Sequence, residues 1–573
     1  MIKMGRIGQG FFLLWFFLTA LNTAVASQYM KGELIIKLKD DLKMNINRVV
    51  IDFKGRVERE VKLLSGNLYL TKFDPTLDME KLAQSVSKRL EVLYAEPNYI
   101  YTIDDPIHHR VINNLIFGDR VNVPYVPSDP EFNILWGFLN TGTNDPEGVL
   151  GVRGADINVL KAWEITTGNK KVKIAVIDTG IDYNHPDLIN NIWVNEAEVS
   201  GRPGVDDDNN GYVDDIHGYD FVNKDGDPMD GNGHGTHCSG IIGAVHNNNM
   251  GVAGVMGQVE LVALKFLADN NYGSNLDAAE AIDYATRLGV DIMSNSWGGG
   301  EFSQVLFDAI QQAGEEGIIF VVAAGNDGIN NDGENHYPAS YDLANIITVA
   351  SHSNEDILSD FSNYGPNSVD VVAPGSNIYS TYKKSGYEVL SGTSMAAPHV
   401  SGALGLMVSH TGRMPHNEMR DRLLMTSSFV MNYKNKIVSN GRLNVYNLIT
   451  DTRPPHPWEP GESDWIRVPL PEIFESTHPY AHKFFMEKKV VIPNAKLIRA
   501  RFTRFQTEAD RDLMNVMGKD GIVMETLSGG NGESMVTTVI GGDTLHLKFF
   551  SDSFINDWGF LLEEVEVIYQ IPE

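Results

Sequence analysis

The sequence predicts an α/β protein: a parallel-sheet domain, preceded by a small α+β unit and followed by an all-β sandwich. Three observations predict it. Over residues 134–450, short and nearly continuous apolar runs alternate with helical patterns, as expected for strands buried on both faces of a parallel sheet. A mixed strand–helix–strand unit precedes them. Beyond Pro479 the texture changes to alternating segments with glycine turns and no helix pattern, which reads as a sandwich.

The N-terminus sets the expected compartment. Lys3 and Arg6 precede an apolar run from Phe11 to Leu21, and Ala24-Val25-Ala26 has the small-x-small form of a processing site. Residues 1–26 therefore read as a secretory signal cleaved after Ala26. The run is short for a membrane span, and no later stretch is long and apolar enough, so the mature chain is expected to be secreted, extracellular or periplasmic, without a transmembrane anchor. Its only cysteine is Cys238, so no internal disulfide can form, and stability must come from packing or bound ions. A formal net charge of -29 argues against nucleic acid as a partner.

Residues 27–103 hold strand-like Gly32–Leu38 and Leu68–Phe73, helical spacing over Met79–Leu90, and an extended Val92–Tyr99. Residues 104–133, with Pro106, Pro124, Pro127 and Pro130, read as a linker or processing region. In the α/β region Val172–Ile177, Leu261–Leu264, Val290–Ser294 and Ile318–Ala324 read as buried strands, with helices over Leu276–Leu288 and Phe302–Glu315. Pro454, Pro455, Pro457 and Pro460 mark a stiff linker, residues 451–478, before the sandwich of residues 479–573.

Three glycine-flanked segments carry chemistry. Asp178 ends the run Ala175-Val176-Ile177, His234 sits in Gly231-Asn232-Gly233-His234-Gly235-Thr236-His237, and Ser394 opens Ser394-Met395-Ala396-Ala397-Pro398-His399. In an open parallel sheet, strand C-termini and helix N-termini converge on one edge. A serine hydroxyl needs a base within hydrogen-bond reach, and a carboxylate that fixes the imidazole tautomer. Alone, each residue has a bland reading as a cap or a core histidine.

Together, in the order Asp, His, Ser, they closely resemble the subtilisin-like serine peptidases over residues 134–448. The resemblance implies a Ser394–His234–Asp178 triad acting through an acyl-enzyme. It makes Asn326, in Ala323-Ala324-Gly325-Asn326, the oxyanion donor. Ser296, Trp297 and Gly298 resemble the segment that pairs with the substrate backbone. Asp327 at the pocket mouth implies a preference for a basic residue before the scissile bond, and His336 stands where the family usually has a small residue at the pocket floor. Both also read as solvated loop residues. Cys238 follows the His segment, as in the branch that includes proteinase K.

For metal, Asp206-x-Asp208-x-Asn210-Gly211 begins an EF-hand-type calcium loop. Asp206, Asp208 and Asn210 alternate so that their oxygens can converge, Tyr212 offers its carbonyl, and Asp214 lies at the ninth position. The twelfth is His217 rather than Glu, so Asp215 is the substitute. The resemblance adds a second calcium site at Asp187 and Asn248. The cofactor expected is thus structural Ca2+.

Residues 27–103 resemble the inhibitory propeptide of these peptidases, an intramolecular inhibitor with its tail in the cleft. The junction lies either just after that unit or further on, before Asp129. The C-terminal part resembles a CUB-like domain without its usual cysteines, which implies Glu508, Asp512 and Asp552 as calcium ligands. The expected function is a calcium-stabilised, autoprocessed zymogen of a secreted endopeptidase acting on protein or peptide substrates. The competing reading is a secreted binding or adhesion protein on an inactive scaffold. An α/β-hydrolase is excluded, because Ser394 lacks the G-x-S-x-G elbow and the residue order differs.

Overall fold

A computed structural model describes residues 28–39, 46–103, 107–109, 125–454, 461–509, 511–519, 523–552 and 555–569. The expected signal segment and Pro106, Pro124, Pro455, Pro457 and Pro460 lie outside these. Among the described residues no helix is long and apolar enough to cross a membrane.

The N-terminal unit runs β1 (Tyr29–Leu38), α1 (Ile46–Asp52), β2 (Arg56–Leu63), β3 (Gly66–Lys72), α2 (Met79–Val86) and β4 (Val92–Thr102). Helix α2 stops four residues before the expected Leu90, which is exposed. Strands β1 to β4 form an antiparallel sheet in the order β2-β3-β1-β4. A short strand, β5 (Ile107–His109), follows within the stretch expected to be a linker.

The next unit supplies α3 (Val159–Trp163), β6 (Gly168–Asp178), α4 (Glu196–Ser200), β7 (Gly218–Asp220), α5 (His234–Gly243), β8 (Gln258–Lys265), β9 (Tyr272–Ser274) and α6 (Asn275–Leu288). There follow β10 (Ile292–Asn295), α7 (Gln304–Glu315), β11 (Ile319–Ala323), β12 (Ile346–His352), β13 (Val371–Pro374), β14 (Ile378–Tyr382), β15 (Gly386–Ser391) and α8 (Thr393–Thr411). The unit closes with α9 (His416–Thr426), β16 (Ser428–Phe429), β17 (Gly441–Arg442) and α10 (Val445–Thr450).

Nine strands form one sheet in the order β16-β17-β13-β12-β11-β10-β6-β8-β7. Every pairing in it is parallel except β16–β17. Alternate residues feed two cores. Ile174, Val176, Ile292, Ile319 and Val321 join the cluster under α8, while Ala175, Ile177, Met293, Phe320 and Val322 join the cluster under α6 and α7. Burial on both faces is why these strands read as continuous apolar runs.

Two expected boundaries are corrected. The peptidase-like unit takes in residues before 134: Phe132 packs into the main core, and the Asp129 carboxylate accepts from the amides of Asn247 and Asn248. The stretch 451–478 is not all linker, because Ile466–Glu475 is a strand paired antiparallel with Gly559–Ile568. It tolerates Pro469 and Pro471 because it is an edge strand whose register shifts between Pro469 and Phe474. The C-terminal strands form a six-stranded and a four-stranded sheet. Phe502 and Phe560 of the first share a core with Leu547 and Phe549 of the second.

Candidate active site

The strands β6, β10 and β11 are adjacent, parallel and in register. Their C-terminal ends therefore put Asp178, Ser296 and Ala324–Asn326 side by side along one sheet edge. Helix α5 begins at His234, and the His234 Nδ1 lies 2.8 Å from Asp178 Oδ1, with both side chains 1% exposed. A carboxylate only accepts, so the proton of this bond sits on Nδ1 and leaves Nε2 as the basic nitrogen. Asp178 Oδ1 also accepts from the Thr179 amide at 2.7 Å, which fixes the carboxylate plane.

Asp230 is a residue the sequence reading did not single out. Its carboxylate accepts from the amides of Asn232, Gly233 and Thr236 and from the hydroxyls of Thr179 and Thr236. It thereby clamps the turn that presents His234 to the strand that ends at Asp178. Burial pushes its carboxyl above the usual range, and the nearby Asp178 adds to that. The only sequence signal is an acid just before Gly231-Asn232-Gly233. The neighbouring His237 is a structural group: its Nε2 contacts the carbonyls of Ile378 and Glu388, and burial, with the charge of His234, lowers it to about 3.

Ser394 lies in the first turn of α8. Pro398 has no N–H, so the Ser394 carbonyl lacks the helical donor four residues on. It accepts instead from Ser296 Oγ at 2.9 Å and Cys238 Sγ at 3.4 Å. The serine backbone is thus tied both to the end of β10 and to the helix of His234. The Ser394 hydroxyl donates to the Ser296 carbonyl at 3.2 Å. The Cys238 thiol, Asp178 and His234 have polar atoms within 4.8 Å of one another. Burial, reinforced by Asp178, holds the thiol well above its ordinary pKa, so it packs rather than attacks.

The Asn326 side-chain oxygen accepts from the Thr393 amide at 2.8 Å and the Thr393 hydroxyl at 2.9 Å. This turns Nδ2 toward Gly392. A β-carbon added to Gly392 would lie 3.3 Å from Asn326 Nδ2 and 3.6 Å from the Ser394 amide nitrogen. The space that glycine leaves is therefore flanked by two N–H donors, and an oxyanion can be held there.

Two strands of the N-terminal part of the chain pair with this unit near Ser394. Ile100–Thr102 of β4 pairs antiparallel with β9, and Thr102 exchanges both hydrogen bonds with Gly298, at 3.3 and 3.0 Å. Past the serine, β5 pairs with Val389–Ser391 of β15. Gly298 thus contacts this strand through its backbone. Trp297 is buried, edge-on to Tyr101 at 5.7 Å and to Phe266 at 4.7 Å. Asp327 is 61% exposed, 3.9 Å from Nδ1 of the buried His336. Glu96 of β4 seats the N-terminal unit: its carboxylate accepts from Asn275 Nδ2, Ser303 Oγ and the Gln304 amide at the start of α7.

The acidic loop is assembled differently from the expected alternation. Asp208 and Asp215 come together, and the third oxygen comes from Glu198 of α4, which sequence reasoning missed; these lie within 4.8 Å of one another. Asp206 instead accepts from the amides of Asn210 and Gly211, and Asp214 from that of Gly204. They close the turn. Asn210 donates to Asp208 and Asp215, while the Tyr212 ring packs on Tyr219 and Tyr284. At the second expected site, Asn248 Nδ2 donates to Asp187 at 2.7 Å, and Val252 N and Tyr387 OH also donate to that carboxylate. Glu508, Asp512 and Asp552 lie within 4.8 Å of one another, and the Tyr480 hydroxyl donates to Asp512.

The Subtilase family profile matches residues 169–449, and a fervidolysin N-terminal prodomain profile matches residues 19–98. The thermophilic serine proteinase of Bacillus sp. (strain AK1) is 32% identical over 74% of this chain and 88% of its own length. Thermitase of Thermoactinomyces vulgaris is 39% identical over 51% of this chain and 93% of its own. Subtilisin-like protease 1 of Plasmodium berghei (strain Anka) is 38% identical over 61% of this chain, but the match spans only 58% of that longer protein. Joined to the Asp–His pair beside a helix-borne serine, these similarities establish that the chain belongs to the subtilase family of subtilisin-like serine endopeptidases.

Proposed function

We propose that this chain is an exported, autoprocessed zymogen that cleaves protein substrates through an acyl-enzyme on Ser394. One observation carries the reading: the buried Asp178–His234 pair lies within 4.8 Å of the Cys238 thiol that donates to the Ser394 carbonyl, while β4 and β5 of the same chain pair with β9 and β15. His234 Nε2 takes the hydroxyl proton as Ser394 Oγ adds to the scissile carbonyl, and Asp178 stabilises the imidazolium formed. Asn326 Nδ2 and the Ser394 amide receive the oxyanion. His234 then returns the proton to the leaving amine, and water repeats the sequence on the acyl-enzyme. Gly298 and β9 hold the substrate as an added strand, which reads backbone rather than side chains.

The all-oxygen set Glu198, Asp208 and Asp215 suits a hard cation such as calcium. Bound there, the ion would offset most of the charge of the three carboxylates and fix the loop without entering the reaction. Asp187 with Asn248 is a second candidate, and Glu508, Asp512 and Asp552 a third, in a C-terminal unit we read as CUB-like.

The test is casein hydrolysis by the full chain and by Ser394→Ala, each with and without calcium, with mass spectrometry of the products. Proteolysis and loss of the N-terminal unit are expected only with Ser394 present. A folded chain that loses that unit yet cleaves nothing would move the weight to a binding protein on an inactive scaffold.

A further inference from the structure

The segments that follow β10 and β11 close on His336 beside Ser394, and the resemblance to the family assigns the residue before the scissile bond, P1, to the space between them. Its walls are Ser296–Gly298 and Ala324–Asn326, and its floor is His336. A β-carbon on Gly298 would overlap His336 Nε2, and one on Gly325 would lie 3.0 Å from the same nitrogen. The imidazole edge therefore closes the slot between the two glycines. His336 is 6% exposed and is held by backbone: its amide donates to Ser340 Oγ, and the Ser340 amide donates to its carbonyl. On the other edge Nδ1 faces Asp327 Oδ2 at 3.9 Å.

We propose that His336 makes this pocket selective for an acidic P1 side chain, so that the peptidase cleaves after aspartate or glutamate. The inference rests on the peptidase reading above. It reverses the basic preference expected from Asp327 alone, because the buried His336 imidazole, not the exposed Asp327, lies between Gly298 and Gly325. A carboxylate meeting Nε2–H would form a charge-assisted hydrogen bond.

The chain's own sequence supports this independently. Thr102 pairs with Gly298 in antiparallel register, two residues along the chain from Ser296. The Ser296 carbonyl is the one that holds the Ser394 hydroxyl. Two residues beyond Thr102 the sequence has Asp104, followed by Asp105; both lie outside the described residues. In processing, Ser394 Oγ would bond to the Asp104 carbonyl carbon. The Asp105 amine would leave with the proton held by His234, and water would then release the Asp104 carboxylate.

The experiment is a peptide series varied only at P1 (Asp, Glu, Ala, Leu, Arg), read as kcat/KM for the calcium-loaded full chain after processing and for His336→Gly. Cleavage after Asp or Glu is expected to exceed that after Arg by about 10-fold or more, the scale of a charge-assisted hydrogen bond. His336→Gly is expected to lower the Asp-to-Leu ratio by a similar factor. The mature N-terminus, read by mass spectrometry, is expected at Asp105. A readout without turnover is calorimetric binding to Ser394→Ala, freed of its N-terminal unit, of a prodomain peptide ending at Asp104 against one ending in Arg. Cleavage of casein and of the Leu or Arg peptides without an acidic preference would overturn this inference alone. Failure to cleave any peptide or casein would overturn the peptidase reading itself. If His336→Gly does not fold, the P1 series on the unmodified chain still decides.

Discussion

The corner around His234 and the loop around Asp208 both gather carboxylates, yet the chain completes them in different ways. At the corner each acid faces donors supplied by the fold. Asp230 accepts from three amides and two hydroxyls, and Asp178 from Thr179 N and His234 Nδ1. In the loop Glu198, Asp208 and Asp215 also take donors from the fold, Glu198 from the amides of Asp207, Asp208 and Asp214, and Asp215 from the Tyr284 hydroxyl. But they face one another as well, bridged by the amides of Asn195 and Asn210. Burial raises the Asp215 carboxyl, and the charge of Asp208 adds to it. Both regions are tied down by the chain's own donors, but only the second holds three carboxylates within 4.8 Å of one another, the arrangement on which the proposed cation rests.

The largest effect should come from disturbing the corner without unfolding it. Asn326→Ala removes one oxyanion donor and is expected to lower kcat by about 100- to 1,000-fold with little change in KM. Gly392→Ala should act on the same space, since the added methyl would stand between Asn326 Nδ2 and the Ser394 amide. Thermal melting of Gly392→Ala should match the parent, while Asn326→Ala should lose some Tm because it also strands the Thr393 amide and hydroxyl. A drop in Gly392→Ala as large as that of a core deletion would show that the space is structural. The loop should behave in the opposite way, with a smaller effect on stability. A ligand at about 100 times its Kd contributes about 2.7 kcal/mol, so chelation should lower Tm while calcium restores it. Glu198→Gln should remove most of that calcium-dependent shift, and Asp206→Asn much less. Equal losses from the two would return Asp206 to the ligand set.

The same contrast explains what could be read in the sequence. Asp178, His234, Ser394 and Asn326 each close a strand or open a helix, so a short motif fixes where the side chain starts. The parallel strands were legible because both faces are buried and the apolar runs are unbroken. Asp230 was not, since an acid before a glycine turn carries no periodic signal. Glu198 was missed because its partners are ten and seventeen residues along the chain, on a turn whose path alternation alone does not give. In that turn Asp206 and Asp214 bind loop amides. The strand Ile466–Glu475 was hidden by its own prolines, which only an edge position allows.

The smallest effect expected is in the seating of the N-terminal unit, where one carboxylate bridges two regions. Glu96 is buried among Asn275, Ser303 and the Gln304 amide, and burial outweighs those donors, raising it from 4.5 to about 7. A carboxyl raised in the bound state favours binding of its protonated form. Its contribution to inhibition is therefore fully present below about 4.5 and is lost as pH rises through about 7. The N-terminal unit added in trans to the processed peptidase should inhibit more weakly at pH 8 than at pH 5, by about 10-fold from this group. Glu96→Gln keeps the shape and one acceptor but cannot ionise, so its inhibition constant should vary less with pH over that window. An unchanged pH dependence in Glu96→Gln would assign the titration to another interface group, such as Asp283, which accepts from the Leu64 amide and is itself raised by burial.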